Sequence, residues 1–160
     1  MPNLNRVRRE VLAISKAYRG PPIEKGIVDL VVALRYWGIN TTGSCHGHLN
    51  HGCRYPWVNM AIPKESRSVQ GKKRWLKKIK ALGVLVESYN ESRDFLPSDE
   101  YLVLHVYGPL FARLEPRSSE VLDRFPRELI QKKRGKRMLK RYRRAMKGLA
   151  KFLVIQKKKT

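Results

Sequence analysis

Residues 101–115 read YLVLHVYGPLFARLE, two apolar runs separated by Gly108 and Pro109. The first seven residues are rich in β-branched and aromatic side chains, which favour a strand. Gly108 and Pro109 are turn residues, and the apolar run after them predicts a second strand returning beside the first. The sequence therefore predicts a β-hairpin, the strongest sheet signal in the chain.

Further strands are predicted upstream of this hairpin. Residues 57–62 alternate apolar and polar side chains and end at Pro63, as in a half-buried strand. Residues 84–89 form a short apolar run after Gly83, and residues 39–42 predict a short strand leading into a loop rich in Cys and His. About four or five strands are expected in total.

Helices are predicted where apolar side chains recur at intervals of three and four residues. This spacing predicts helices over residues 4–18, 27–37, 67–82 and about 126–155, and a short helix capped by serine is predicted over residues 118–124. The strands and helices together predict an α+β fold, in which a small sheet packs with helices. We expect an α+β domain over residues 1–125 and a basic helical C-terminal extension over residues 126–160.

The charge is extreme and uneven. The chain has 35 Lys and Arg against 13 Asp and Glu, a net charge of +22. Residues 127–160 alone contain 15 basic and 1 acidic residues. This balance predicts a polyanionic partner, RNA first and DNA second, with an acidic membrane surface less favoured because the last helix has an apolar stripe suited to docking on its own domain.

The cations that we expect to contact phosphates lie on the middle and last helices. The residues singled out are Lys72, Lys73, Arg74, Lys77, Lys133, Arg134, Arg137, Arg141 and Arg144. No apolar run approaches the about 18 residues of a membrane span, and charges interrupt the N-terminal segment. A cytoplasmic protein with reduced thiols is therefore expected.

Residues 43–53 read GSCHGHLNHGC and form the candidate functional site. Both cysteines and three of the four histidines fall within nine residues. These side chains bind soft metals, act as nucleophiles and exchange protons near neutral pH. Reactive residues concentrate on loops, so a site is expected here.

Several interpretations of this loop remain open. Cys45, His48, His51 and Cys53 could bind zinc, although structural sites usually space two ligand pairs further apart. Cys45 could be a nucleophile whose pKa a neighbouring imidazole lowers, with His46 or His48 as acid or base. A loop that binds a ligand without catalysing a reaction would use Ser44, Gly47 and Trp57. If the loop has no functional site, Cys45 is a small buried residue and the histidines are solvated.

Residues 41–48, TTGSCHGH, resemble the TTSSCSGR motif of the wybutosine-synthesising methyltransferases that act on tRNA at the third step. Ser44, Cys45 and Gly47 match that motif position by position, whereas Gly43, His46 and His48 depart from it. Residues 114–116 resemble a strand ending in the same family. The loop is also similar to uncharacterised bacterial and phage proteins with an SCEGH motif followed by PWV, here residues 56–58.

The resemblance implies an RNA-facing loop and, through the methyltransferases, S-adenosylmethionine as a cofactor. With the basic helices, it predicts a protein that binds structured RNA such as tRNA or rRNA, with a loop that binds a ligand or modifies the RNA. Two alternatives stay open. One is a Cys/His-dependent enzyme on an anionic substrate, and the other is a zinc-stabilised nucleic-acid-binding or ribosome-associated module.

Overall fold

The computed structural model describes residues 3–17, 20–49, 53–93, 101–117 and 133–160. The predicted hairpin is present, and the other elements lie around it. In chain order, the elements of the described residues are α1 (Leu4–Ala17), α2 (Val28–Tyr36), β1 (Thr41–Cys45), β2 (Trp57–Ala61), a 3-10 turn (Lys64–Ser66), α3 (Val69–Glu91), β3 (Leu102–Tyr107), β4 (Phe111–Pro116) and α4 (Lys133–Lys159).

The four strands form one antiparallel sheet in the order β1-β2-β4-β3. Leu114 of β4 lies between Leu104 of β3 and Val58 of β2, and both Val58 and Leu114 are fully buried. Cys45, the last residue of β1, pairs with Trp57, the first of β2. The sheet and the helices packed with it confirm the predicted α+β fold, and the Cys/His loop follows an edge strand.

The predicted strand over residues 84–89 is wrong, because α3 continues through Gly83 as far as Glu91. Val84 and Val86 favour a strand locally, yet Val84 is 63% exposed whereas Val86 is 2% exposed. The buried positions keep helical spacing along the whole element, at Trp75, Ile79, Leu82, Val86 and Tyr89. Burial of this continuous stripe outweighs the local strand preference of the valines.

The long basic helix is integrated into the fold. Its predicted apolar stripe is buried at Leu139, Tyr142, Met146, Leu149 and Leu153. α4 packs on α2, and the Trp37 indole donates a hydrogen bond to the Leu153 carbonyl at 2.9 Å. The start of this helix before residue 133 and the predicted short helix over residues 118–124 lie outside the described residues. No helix in the described ranges is long and apolar enough to cross a membrane.

α4 also packs on α3, and this contact depends on Gly148. The Tyr89 hydroxyl donates to the Ala145 carbonyl at 2.9 Å, directly beside Gly148. A Cβ at Gly148 would lie 2.1 Å from the Tyr89 hydroxyl oxygen, so any side chain there must displace the ring. The absence of a side chain therefore lets the two helices approach each other.

The substitution Gly148→Ala should lower the free energy of unfolding by about 1–3 kcal/mol, because it overpacks this contact and breaks the hydrogen bond of Tyr89. Gly83→Ala is the matched control, since a Cβ there makes an ordinary 3.8 Å contact with Leu104. It should stabilise the protein by up to about 1 kcal/mol through helix propensity. Urea denaturation of both variants measures the difference, and equal effects would contradict this account.

Candidate functional site

The loop after β1 is shaped by Gly47. Its φ of +83° lies in the left-handed region, where glycine avoids the strain of a side chain. A Cβ there would also lie 2.7 Å from Cδ1 of Leu139 and 2.9 Å from the carbonyl carbon of Tyr55. The His48 amide then donates to the Cys53 carbonyl at 2.7 Å. The loop is thus folded tightly against the first turns of α4.

This turn brings His46 and His48 together with Glu24. One oxygen of Glu24, Oε2, accepts a hydrogen bond from the His46 amide at 2.6 Å. The other, Oε1, is hydrogen-bonded to Nε2 of His48 and lies 3.8 Å from Nε2 of His46. The two imidazole centroids are 4.8 Å apart. We call these three half-buried residues the Glu–His cluster.

Glu24 is held in place by the segment between α1 and α2. The Ile23 amide donates to the Ser15 hydroxyl at 2.8 Å, which anchors the chain just before Glu24. Just after it, Gly26 lies so close to His46 that an added Cβ would be 2.6 Å from the ring nitrogen Nδ1. Glu24 was not predicted from the sequence. Its local signal is only that of a carboxylate two residues after the sequence Gly20-Pro21-Pro22.

The protonation of the cluster follows from these contacts. Burial by itself raises the pKa of the Glu24 carboxyl. The hydrogen bonds from the His46 amide and the His48 ring, with the charges of both imidazoles, outweigh burial, and the pKa is lowered. Burial also lowers the pKa of the His46 imidazole, and the Arg143 charge adds to this against the opposing charge of Glu24. A carboxylate and a neutral His46 are therefore favoured near neutral pH.

Cys45 lies beside the cluster as a protonated thiol. Burial raises its pKa, and the negative charge of Glu24 raises it further, whereas the Gly47 amide, which donates to Sγ at 3.3 Å, acts in the opposite direction. This direction is opposite to the lowering by an imidazole that the sequence suggested. Among the described residues, the groups around Cys45 therefore on balance favour the thiol over the thiolate nucleophile.

The structure does not show the four residues predicted to bind zinc as one ligand set. His48 is directed to Glu24 and His46, which the predicted ligand set did not include. Cys53 accepts the His48 amide through its backbone carbonyl. His51 lies outside the described residues. Among the described residues, the three-donor group that the fold brings together is the Glu–His cluster, whose ligand atoms all lie within 4.8 Å of one another.

A groove of about 650 Å³ opens beside the cluster, between α1, the segment before α2 and β1. Glu24, Ser44, Cys45 and Trp57 all line it, whereas Gly47 does not. The guanidinium of Arg113 lies 4.9 Å from the centroid of the Trp57 ring. The volume is within the range of sites for small organic ligands. Ser44 and Trp57, predicted to bind a ligand, therefore face the same groove.

α4 reaches the site through Arg143. Its guanidinium donates from Nε to the His46 carbonyl at 2.9 Å and from Nη2 to the Gly47 carbonyl at 2.5 Å. In the sequence, Arg143 looks like its cationic neighbours Arg141 and Arg144, but its side chain is half-buried and used within the protein. Arg143 therefore fixes the backbone that carries both histidines.

Most of the other α4 cations whose side chains the structure describes are exposed, whereas Lys157 is half-buried and lies 4.8 Å from the centroid of the Trp37 ring. Five exposed ones recur at intervals of three and four residues, at Arg137, Lys140, Arg144, Lys147 and Lys151, and we call them the cationic stripe. Of the other predicted phosphate contacts, Arg141, Lys73, Arg74 and Lys77 are exposed and Lys72 is half-buried. Lys133 and Arg134 lie in the first turn of α4. The structure thus separates one inward arginine from an exposed cationic face.

Replacing Arg143 by Gln should lower the free energy of unfolding by about 1.5–3 kcal/mol, because two hydrogen bonds from a charged donor are removed. Arg144→Gln removes the same charge from the neighbouring exposed position and should change stability by less than about 0.5 kcal/mol. Urea denaturation gives both values. In NMR spectra, only Arg143→Gln should shift the imidazole signals of His46 and His48. Indistinguishable variants would show that the contacts of Arg143 do not hold the loop.

Comparison with known proteins gives no family assignment. No family model, curated protein or solved structure matches this chain. The resemblance of residues 41–48 to the wybutosine-synthesising methyltransferases therefore stays a prediction from the sequence, and S-adenosylmethionine stays a prediction with it.

Proposed function

We propose that this protein binds structured RNA, such as tRNA or rRNA, through the exposed cations of α4 and of the first half of α3. The observation that carries the proposal is the cationic stripe, which lies opposite the buried apolar stripe of the same helix. RNA presents a regular array of phosphates, and a row of fixed cations is the simplest complement to it.

The electrostatics of α4 favour an anionic partner. The helix contains no Asp or Glu, so its lysines and arginines have no acidic neighbour within the element. Like charges at intervals of three and four residues destabilise a helix in isolation. Here burial of the apolar stripe offsets the repulsion, and bound phosphates would remove it. The stripe extends over about 21 Å along the helix axis, enough to meet several phosphates.

A membrane surface is a poorer match for the same helix. Helices that bind at a lipid interface bury an apolar face among the lipids. The apolar face of α4 is already covered by the protein, with Leu149 and Leu153 fully buried. What the described part of α4 leaves exposed is mainly its cationic face, which suits a phosphate backbone. The preference for RNA over DNA rests on the resemblance of the loop to a family that acts on tRNA.

α3 would add further phosphate contacts. Its last turns pack on α4 through the contact of Tyr89 with Ala145, and its first half exposes Lys73, Arg74 and Lys77. The next lysine, Lys78, is used within the protein, because it donates to the Gly38 carbonyl at 3.0 Å. Cations from two adjacent helices would follow a folded RNA better than a single row.

Removing two charges from the cationic stripe, in Arg144→Gln/Lys147→Gln, should weaken RNA binding and its dependence on salt. Removal of one phosphate-binding cation should reduce the slope of log affinity against log salt by about 0.7–0.9, so the slope of the double variant should fall by about 1.5. Fluorescence anisotropy with labelled tRNA at several salt concentrations measures the slope.

The control is Arg9→Gln/Lys16→Gln, which removes two exposed cations from α1 and the same net charge. It should leave the slope close to that of the wild type. If the two double variants weaken binding equally, net charge and not the cationic stripe determines affinity. Salt-insensitive or absent tRNA and rRNA binding by the wild type contradicts the proposal as a whole.

A second function, chemistry on the bound RNA, is favoured by the position of the groove. Glu24 belongs both to the groove wall and to the Glu–His cluster, and Arg143 joins that cluster to the RNA-binding helix. The groove has the size of a small ligand, so a flipped-out base or a cofactor would fit beside three acid–base groups.

This second function predicts that RNA from cells producing the wild type contains a modified nucleoside that is missing with His48→Ala. Mass spectrometry of digested total RNA measures it. His105→Ala is the control, because His105 lies on β3 near Glu115, far from the loop in the sheet order. Identical nucleoside profiles for wild type and His48→Ala would leave RNA binding as the function without modification.

A further inference from the structure

We infer that Glu24, His46 and His48 bind a divalent transition-metal ion, with Zn²⁺ as the first choice. This inference goes beyond RNA binding and does not rest on it. Two imidazoles and one carboxylate are a donor set that zinc accepts, and imidazole ligands favour first-row transition metals over Mg²⁺ and Ca²⁺. The site differs from the tight Cys/His set suggested by the sequence, because its acidic ligand comes from a segment 22 residues before His46.

The distances support this assignment. Tetrahedral zinc with ligand bonds of about 2.0–2.1 Å places its ligand atoms about 3.3–3.4 Å apart. Nε2 of His46 is 3.8 Å from Oε1 of Glu24, and Nε2 of His48 is already hydrogen-bonded to the same oxygen. Small rotations of the side chains would bring all three atoms to ligand separation. The direct contact of His48 with Glu24 would then be replaced by bonds to the ion.

The surroundings hold the donors in place. The other oxygen of Glu24 is fixed by the His46 amide at 2.6 Å, so the carboxylate presents Oε1 to both rings. Gly26 leaves just enough room for the Nδ1 side of the His46 ring, and Arg143 holds the carbonyls of His46 and Gly47. Such supporting contacts orient metal ligands and are worth about 10–100-fold in metal affinity.

Three protein ligands leave one position of a tetrahedral ion for water. Structural zinc sites use four protein ligands, whereas open sites with three are typical of catalysis. Of the three donors, Glu24 lines the groove, whereas His46 and His48 do not, so the open position would be reached from the Glu24 side. The fourth position would therefore be the place where a substrate or a water molecule meets the ion.

The direct test is a titration of metal-free protein with Zn²⁺, in competition with a chromogenic chelator. Wild type should bind one ion per chain. Glu24→Gln, which keeps the shape of the side chain, and His46→Ala and His48→Ala should each weaken binding by at least about 100-fold, more than removal of a supporting hydrogen bond would. His105→Ala should bind as wild type does, since it removes a histidine near Glu115 on the sheet.

A second set of variants separates this site from the set within the loop. Here His51→Ala and Cys53→Ser should leave Zn²⁺ affinity unchanged. Substitution with Co²⁺ should give absorption typical of nitrogen and oxygen ligands, without the near-ultraviolet band of a cobalt–thiolate bond. If Cys53→Ser abolishes binding, or if the thiolate band appears, the ligands are those of the loop and the inference is wrong.

Circular dichroism and urea denaturation of each metal-free variant show whether it is folded. Gly26→Ala adds a test that removes no donor, because its Cβ would push the His46 ring away and should weaken Zn²⁺ binding by about 10-fold or more. Wild type that binds no Zn²⁺ and no Co²⁺ overturns the inference. RNA affinity measured on the same variants tests RNA binding separately, since none of these substitutions removes a lysine or an arginine.

Discussion

The packing of α4 on α2 determines most of what this protein presents to its surroundings. An α-helix turns by about 100° per residue, so three consecutive residues face three directions. In α4, Tyr142 is buried at 1% exposure, Arg143 bonds the loop, and Arg144 is exposed. Burial of Tyr142 and the other apolar residues therefore fixes both the outward direction of the cationic stripe and the inward direction of Arg143. A rotation of the helix by one residue would exchange these roles.

In a chain with a strong positive net charge, Glu24 supplies the negative charge of the Glu–His cluster. Its carboxylate is half-buried, and the hydrogen bonds from the His46 amide and the His48 ring stabilise it as an anion. A divalent cation would be repelled by the many lysines and arginines, and the guanidinium of Arg143 is nearby. A buried or half-buried cation needs a local negative charge to offset such repulsion. In the Glu–His cluster that charge comes from Glu24.

Local patterns predicted the fold well and the site only in part. The hairpin and the helices follow from periods of two and about 3.6 residues, which short windows reveal. A strand was wrongly predicted over residues 84–89 because two valines there favour a strand. In the structure, Val86 belongs to the buried stripe of a helix that begins at Val69. Glu24 could not be found, since its contact with His48 joins segments 24 residues apart and no motif links them. Arg143 could not be told from its cationic neighbours, because only the packing of α4 decides which one faces inward.

The packing of α4 places Arg143 and the cationic stripe on different faces of the helix. Nε and Nη2 of Arg143 are both occupied by carbonyls, in the planar fork that a guanidinium can offer and a lysine cannot. A phosphate approaching α4 would meet Arg144 and Lys147, whose side chains are exposed. The Glu–His cluster and the proposed RNA contacts therefore involve different faces of one helix. The inward face positions the histidines through Arg143, and the outward face carries the cationic stripe, so a substitution on one face leaves the other in place.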